Sequence, residues 1–376
     1  MFAELPSGQN RPESLPVNVV DPLNRTVFRA WLRCIAGRCI LDRSAESGAE
    51  PELFVSPGWI DLHAHVYLGV GSLGISADAV GIDTGVHVVA DAGSAGHDTL
   101  LGLVKYVVPT FRTTVKAWLN ISSTGLAYMP EVADIGFIDV GKTIDAALTY
   151  QPFVCGIKVR SEKSTVGSLG LQPLKLAAAT ARATGLPLMV HLGAPPPNVE
   201  EILDVLAPGD IITHCYHGKT CPPWLPSGEP IPALRRALER GVLMDVGHGV
   251  SSFSYAVAKK AIAAGFPPFS IGTDAHSLNV GGPVYDLPTV MTKLLACGLT
   301  LIDVVSAVTL APATILRLTD WCDLGGELTH ATVFEVTRSA PSGRRYVDTL
   351  GEVIVPENYI VPRAVVTEEG LSWAMC

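Results

Sequence analysis

Two histidines two residues apart stand in the run Asp61-Leu62-His63-Ala64-His65. On a β-strand that spacing turns both imidazoles to one face, where two neutral rings can share one divalent cation. Further residues able to ligate follow along the chain: Lys158 in CGIKVR, His191 in LMVHLG, His214 in IITHCYHG and Asp274 in IGTDAHS. Taken singly, a strand histidine is more often a hydrogen-bonded structural group and an Asp after a strand a helix cap. Taken together, each at the close of a short apolar run, they read as nitrogen and oxygen ligands converging from separate strands. A lysine in such a ring loses several kcal/mol to desolvation unless it is paired or deprotonated. Carboxylation of Lys158 would turn it into a two-oxygen anion able to bridge two cations; an ion pair with Asp274 is the structural alternative.

Short apolar runs alternate with helical stretches from Trp59 onward, the rhythm of βαβ units. The runs are Trp59 to Val66, Val86 to Ala92, Thr114 to Ser122, Phe153 to Arg160, Pro187 to Gly193, Ile211 to His214, Val242 to Val246 and Ser270 to Asp274. Eight such runs close a (β/α)8 TIM barrel, whose active sites lie at the C-terminal ends of the strands. Helices are expected over Pro173 to Thr184, Ile231 to Arg240, Asp286 to Ala296 and Leu301 to Leu318. Both chain ends carry short β-rich pieces instead: Thr26 to Leu32, Cys39 to Leu41, Thr332 to Thr337, Glu352 to Val355 and Ala364 to Thr367. The expected organisation is a barrel over 57–319 that carries the candidate metal ligands and one small β domain assembled from 1–56 and 320–376.

Arg160 has the same strand parity as Lys158, and its planar fork suits a substrate carboxylate; an ion pair with a nearby acid is the alternative. Tyr67, His217 and His276 follow ligand-bearing strands closely enough to contact substrate or to serve as caps. The loops Gly249 to Ser252 and Asn279 to Gly282 follow the seventh and eighth strands and read as pocket walls or as plain turns. No G-x-S-x-G elbow is present, which argues against a serine hydrolase.

The 376 residues suffice for one barrel, which takes about 250, plus an accessory domain. With 48% hydrophobic and 17% charged residues, 36 Gly and 28 Pro, the composition fits a buried parallel sheet joined by tight turns. A formal charge of −9 removes the positive field that nucleic acid requires. No apolar run reaches a membrane span, and the opening MFAELPSGQNRPESLP is too polar for a signal peptide, so a cytoplasmic protein without membrane partners is expected. A homo-oligomer is compatible with this composition. The eight cysteines show no paired spacing, and reduced, mostly buried thiols without disulfides are expected. Asn24-Arg25-Thr26 and Asn120-Ile121-Ser122 match the glycosylation pattern and are read as chance.

The motifs PGWIDLHAH, GIKVR, LMVHLG, ITHCYHG and GTDAHS, in this order over about Val55 to Leu318, resemble the amidohydrolase superfamily. The stretches GVHVVADAGSAG, KVRSEKSTVG, DVGHGVSSFS and NVGGPVYDLPTVMTKLL resemble its dihydroorotase-like deacetylase branch, associated with hydrolysis of acyl amides or esters. The resemblance implies two divalent ions, zinc foremost with Mn or Co as fits. It places His63, His65 and Asp274 on the more buried ion, His191 and His214 on the more exposed one, and carboxylated Lys158 between them. It further implies that Asp274 shuttles the proton while a metal-bridging hydroxide attacks the carbonyl of a small carboxylate-bearing substrate. Dihydroorotases carry an Arg two residues after the second histidine, where this chain has Tyr67, so a true dihydroorotase is disfavoured. A hydantoinase-like hydrolase of cyclic amides or imides is the runner-up, and a catalytically silent barrel is the alternative outside enzymes.

Overall fold

The structure, a computed structural model, describes residues 14–44 and 51–373. The opening stretch read above as lacking a signal peptide lies, through residue 13, outside the described residues, as does Cys376. The strands in chain order are β1 (Ser14–Asp21), β2 (Thr26–Ile35), β3 (Arg38–Asp42), β4 (Leu53–Pro57), β5 (Trp59–Ala64), β6 (Val86–Ala92), β7 (Thr114–Asn120), β8 (Val154–Ser161), β9 (Leu188–Leu192), β10 (Ile211–Thr213), β11 (Leu243–Met244), β12 (Glu327–Leu328), β13 (Ala331–Thr337), β14 (Tyr359–Thr367) and β15 (Gly370–Trp373).

One sheet draws on both ends of the chain, in the order β12-β3-β2-β1-β4-β13-β14-β15. β4 joins the two ends: it runs parallel to β1, with Val17 opposite Leu53, and antiparallel to β13, with Val55 opposite Val333. Alternation supplies the core of this sheet, because Val17, Val19, Ala30, Leu32, Val55, Ala331, Val333, Ala364 and Val366 gather on one face. The sequence reading missed β1, β4, β12 and β15, and the strand expected at Glu352 to Val355 is reduced to a single bridge between Val347 and Val353. The expectation of no disulfide is also corrected. Cys34 and Cys39 are cross-strand partners of the β2–β3 hairpin, their Cα atoms 4.1 Å apart, and they are bonded. The turn at Ala36 and Gly37, both at positive φ, brings them face to face, a pairing that the four intervening residues conceal in the linear sequence. Of the other cysteines described, Cys155, Cys215, Cys297 and Cys322 are buried thiols and Cys221 is exposed.

The second sheet is parallel, with seven strands in sequential order from β5 to β11. The expected eighth strand forms no regular ladder. Instead Ser270 bridges Asp245 and Ala275 bridges Ala64, and Asp274 N donates to His63 O at 2.6 Å while His65 N donates to Ala275 O at 2.8 Å. The ring therefore closes through isolated contacts. Asp274, at φ 52°, ends the extended run, since a left-handed residue cannot continue a strand. Around this sheet, the helix Gln172–Thr184 matches the expected one, with Pro173 in its first turn. The helix expected over Leu301 to Leu318 is two, Leu301–Val308 and Leu310–Leu316, broken at Thr309. Pro312 has no N–H to give the carbonyl of Val308, so the helical ladder cannot run through. A cluster of Ile60, Leu62, Val88, Ala90, Trp118, Met189 and Ile211, drawn from five strands, packs as one unit, and the Trp118 indole N–H donates to Leu62 O.

Candidate metal centre

The ligand-type residues sit at the C-terminal ends of β5, β8, β9 and β10 and on the closing segment after β11. His63, His65 and Asp274 each offer an atom, and all of these lie within 4.8 Å of one another. Asp274 Oδ1 is 3.0 Å from His65 Nε2 and 3.4 Å from His63 Nε2. Lys158 Nζ lies 3.3 Å from His63 Nε2 and 3.4 Å from the Met189 thioether. The rings of His63 and His214 are 5.1 Å apart and those of His191 and His214 4.2 Å. All six residues read as ligands are thus brought together.

Outer groups fix how these rings point. Thr213 donates its hydroxyl to Asp245 Oδ2 at 2.7 Å, so its oxygen is left to accept the Nδ1–H of His63 at 2.9 Å. Asp245 is fully buried and also accepts from Ser270 Oγ and from Gly272 N. His65 Nδ1 contacts Ser94 Oγ at 2.9 Å, and Ser94 is itself held by its N–H on Asp91. His214 Nδ1 is 2.6 Å from the carbonyl of Gly247. A carbonyl only accepts, so the ring proton sits on Nδ1 and Nε2 carries a free lone pair. The Nε2 atoms of His191 and His214 are buried and have no hydrogen-bond partner among the described residues, although that of His191 faces Glu162 Oε1 at 3.6 Å. Both His214 and Asp274 adopt positive φ, 67° and 52°, strain that concentrates where function demands a particular side-chain direction. Two glycines leave the room required: a Cβ at Gly93 would meet the stem of Lys158 at 2.7 Å, and one at Gly249 would collide with Asp274 Oδ2.

Burial sets the charge states. It pushes His63 down to about 4 and His191 to about 3, and holds His214 well below its ordinary value, so these imidazoles are neutral at pH 7. Burial opposes ionisation of Asp274, but His63, His65 and His214 outweigh it and keep the carboxyl well below its usual range. The Lys158 ammonium is pushed down to about 8, mainly by burial and against the pull of Asp274 and Asp245. No carboxylate lies within 4 Å of Lys158 among the described residues, so the alternative ion pair with Asp274 is not formed. Neutral imidazoles with an ionised carboxylate are the state in which such groups bind a cation.

The four residues read as substrate contacts separate into different environments. Arg160 lies between two acids, with Nη2 3.1 Å from Glu162 Oε1 and Nη1 3.5 Å from the buried Glu131. Tyr67 is buried and gives its hydroxyl to Thr99 O at 2.8 Å. His217 is buried three residues after His214, its Nδ1 accepting from Lys219 N at 3.1 Å. His276 lies with its ring 6.2 Å from that of His65, and its Nδ1 accepts from Leu278 N. The sequence reading missed Asp245, although the run VLMDVG ends the seventh strand on an acid just as the eighth ends on Asp274. It also missed Glu162, two residues beyond Arg160, and Lys219. A buried Lys293, which donates to His248 Nε2 and to the carbonyls of Pro283 and Val347, likewise gave no sequence signal. A cavity of about 880 Å3 is lined by residues such as His87, Arg112, Trp321 and His330. His87 and Thr114 begin their strands, so it opens at the opposite end of the barrel. Strand polarity rather than cavity size marks the site.

No family model matches the chain. A deacetylase of Brucella anthropi is 35% identical over 324 residues, 85% of this chain and 80% of the relative. A deacetylase of Agrobacterium fabrum is 39% identical over 268 residues, 70% of this chain and 66% of that relative, just under two thirds of its length. Among solved structures, a dihydroorotase superposes with a TM-score of 0.83 at 33% identity, covering 96% of this chain and 98% of that one. An adenine deaminase gives 0.85 at 29%, covering 96% and 100%.

Proposed function

Since the chain belongs to the amidohydrolase superfamily and is a hydrolytic enzyme acting on C–N bonds, we propose that it removes an acyl group from a small carboxylate-bearing amide or ester, with two divalent ions, zinc foremost, as cofactor. The observation that carries this reading is the bare, buried Nε2 lone pair of His214, with His191 packed against it, beside the His63, His65 and Asp274 cluster. Such donors, oxygen and imidazole nitrogen without sulfur, suit zinc, and also Mn or Co. His63, His65 and Asp274 would hold one ion and His191 and His214 the other. Lys158 would bridge them once its uncharged amine has added carbon dioxide, forming an N–C bond and releasing one proton. Its setting supports this, because the amine is buried, lacks an acid partner and faces His63. When bound, the cations supply a hydroxide at neutral pH and polarise the substrate carbonyl.

The chain's own residues then do the rest. Asp274 takes the proton of the attacking hydroxide and passes it to the leaving nitrogen or oxygen; its left-handed backbone and its contact with His65 keep that carboxylate aimed inward. Thr213, Asp245, Ser94 and the Gly247 carbonyl hold the imidazoles in the tautomers required. Against a true dihydroorotase stands Tyr67, which occupies the place of that enzyme's Arg with its hydroxyl already engaged by Thr99. Against a silent barrel stands the presence of every ligand-type residue. The test is an assay of the metal-loaded protein on N-acetyl amino acids, O-acetyl hydroxy acids and cyclic imides. Release of acetate, lost on chelation and regained with zinc, is expected. Ring opening without acetate release would overturn the deacylase reading.

A further inference from the structure

His214 and His217 stand three residues apart on the loop after β10 and carry their ring protons on opposite nitrogens. His214 donates from Nδ1 to the Gly247 carbonyl, which bares Nε2 as a lone pair. At His217 the relation is reversed: Nδ1 accepts from the backbone N–H of Lys219 at 3.1 Å, so the neutral ring carries its proton on Nε2. That N–H donor is fully buried and has no acceptor among the described residues. A buried donor left unpaired is destabilising, so the fold maintains it against a penalty. A protonated Nε2 cannot ligate a cation; it can only donate to an anion or a carbonyl.

Lys219 adds the charge. Its side chain is half-buried, and no carboxylate lies within 4 Å of it among the described residues. It lies within electrostatic reach of His191, Glu162, Arg160 and Asp274, which places it at the edge of the metal centre. Arg160, by contrast, has its fork taken by Glu131 and Glu162. Cations already paired with acids are poor receptors for a third carboxylate, whereas an ammonium with no acid partner, within electrostatic reach of a ring whose N–H has no partner, is a receptor waiting for one.

We propose that the Nε2–H of His217 and the ammonium of Lys219 together bind the substrate carboxylate, and that Arg160 is a positioning residue holding Glu131 and Glu162 beside His191. This rests on the reading of the site as a deacylase for carboxylate-bearing substrates, and the experiment separates the two. N-Acetylalanine and N-acetylphenylalanine, in both enantiomers, are compared with their carboxamides on the zinc-loaded wild type and on the Lys219→Met, Lys219→Arg and Arg160→Met variants. Turnover is followed by acetate release and binding by calorimetry, which reads affinity whether or not turnover occurs. The wild type should prefer the carboxylate. Lys219→Met should lower that preference by about 10- to 100-fold, the range of a charge-assisted hydrogen bond, Lys219→Arg should restore most of it, and Arg160→Met should lower rates on both classes alike. Absence of turnover on every compound would sink the deacylase reading, and the calorimetric preference would still decide the subsite. A wild type that binds both classes equally, a Lys219→Met variant that keeps the preference, or an Arg160→Met variant that alone abolishes it would overturn the proposal.

Discussion

Asp245→Asn changes one atom and should change which nitrogen of His63 is bare. In the native arrangement Asp245 Oδ2 can only accept, so Thr213 must donate to it at 2.7 Å and must accept from His63 Nδ1 at 2.9 Å. An amide at position 245 keeps an acceptor for Ser270 Oγ and Gly272 N, which contact Oδ1, and turns an NH2 toward Thr213. The threonine oxygen then accepts from the amide, and its hydroxyl proton swings to His63 Nδ1. That moves the ring proton to Nε2, the atom 3.4 Å from Asp274 and 3.3 Å from Lys158. Losing a partner of this kind typically costs 10- to 100-fold in metal affinity, which is about 1.4–2.7 kcal/mol. The assay is competition for zinc against a chromophoric chelator, with melting of the metal-free protein to show that the fold persists. Thr213→Val, which cuts the same relay without adding a donor, should lower affinity with an intact fold as well. Zinc affinity within twofold of wild type in Asp245→Asn would refute the relay.

Lys158→Ala should lose metal and deacylase activity together, and added short-chain carboxylic acids should restore part of the rate; full activity in the untreated variant would exclude a bridging role. Gly249→Ala, at φ 53° and against Asp274 Oδ2, should lower kcat at least tenfold by displacing that carboxylate, and kinetics equal to wild type would show the approach to be unimportant. His87, remote from the metal centre and pushed down to about 4 by burial, is neutral in the fold but has an ordinary value of 6.5 when exposed. The unfolded chain therefore binds more protons between those values, so its contribution to stability is present above pH 6.5 and is lost as pH falls toward 4. The melting temperature of the metal-free protein should fall over that window, and His87→Asn should flatten the fall; an unchanged slope in the variant would contradict the assignment.

The candidate metal face was legible because its residues end apolar runs, and a run's end maps directly onto one rim of a barrel. His63, Lys158, His191, His214 and Asp274 could be picked out without knowing any angle. What the sequence concealed depends on pairing across the chain. Cys34 and Cys39 meet only because a tight turn folds one strand onto its neighbour. β4 owes its place to β1 and β13 on either side, and a five-residue strand carries no periodicity of its own to mark it. For Arg160 a substrate carboxylate and a nearby acid are both open in the sequence, and the acids are what it meets, Glu162 two residues on and Glu131 29 residues away in the chain; Asp245 reads as an ordinary strand end because its partners Thr213 and Ser270 lie far from it in the chain. The tautomer of His217 is set by a single backbone N–H, which no spacing rule reports.

The account stands or falls on the metal content of the protein purified without chelator, measured by elemental analysis on the same preparation that is assayed for deacylation. It predicts about two divalent ions per chain, zinc foremost, with activity that falls in step as they are removed. A preparation that releases acetate at full rate while holding close to no metal would contradict it.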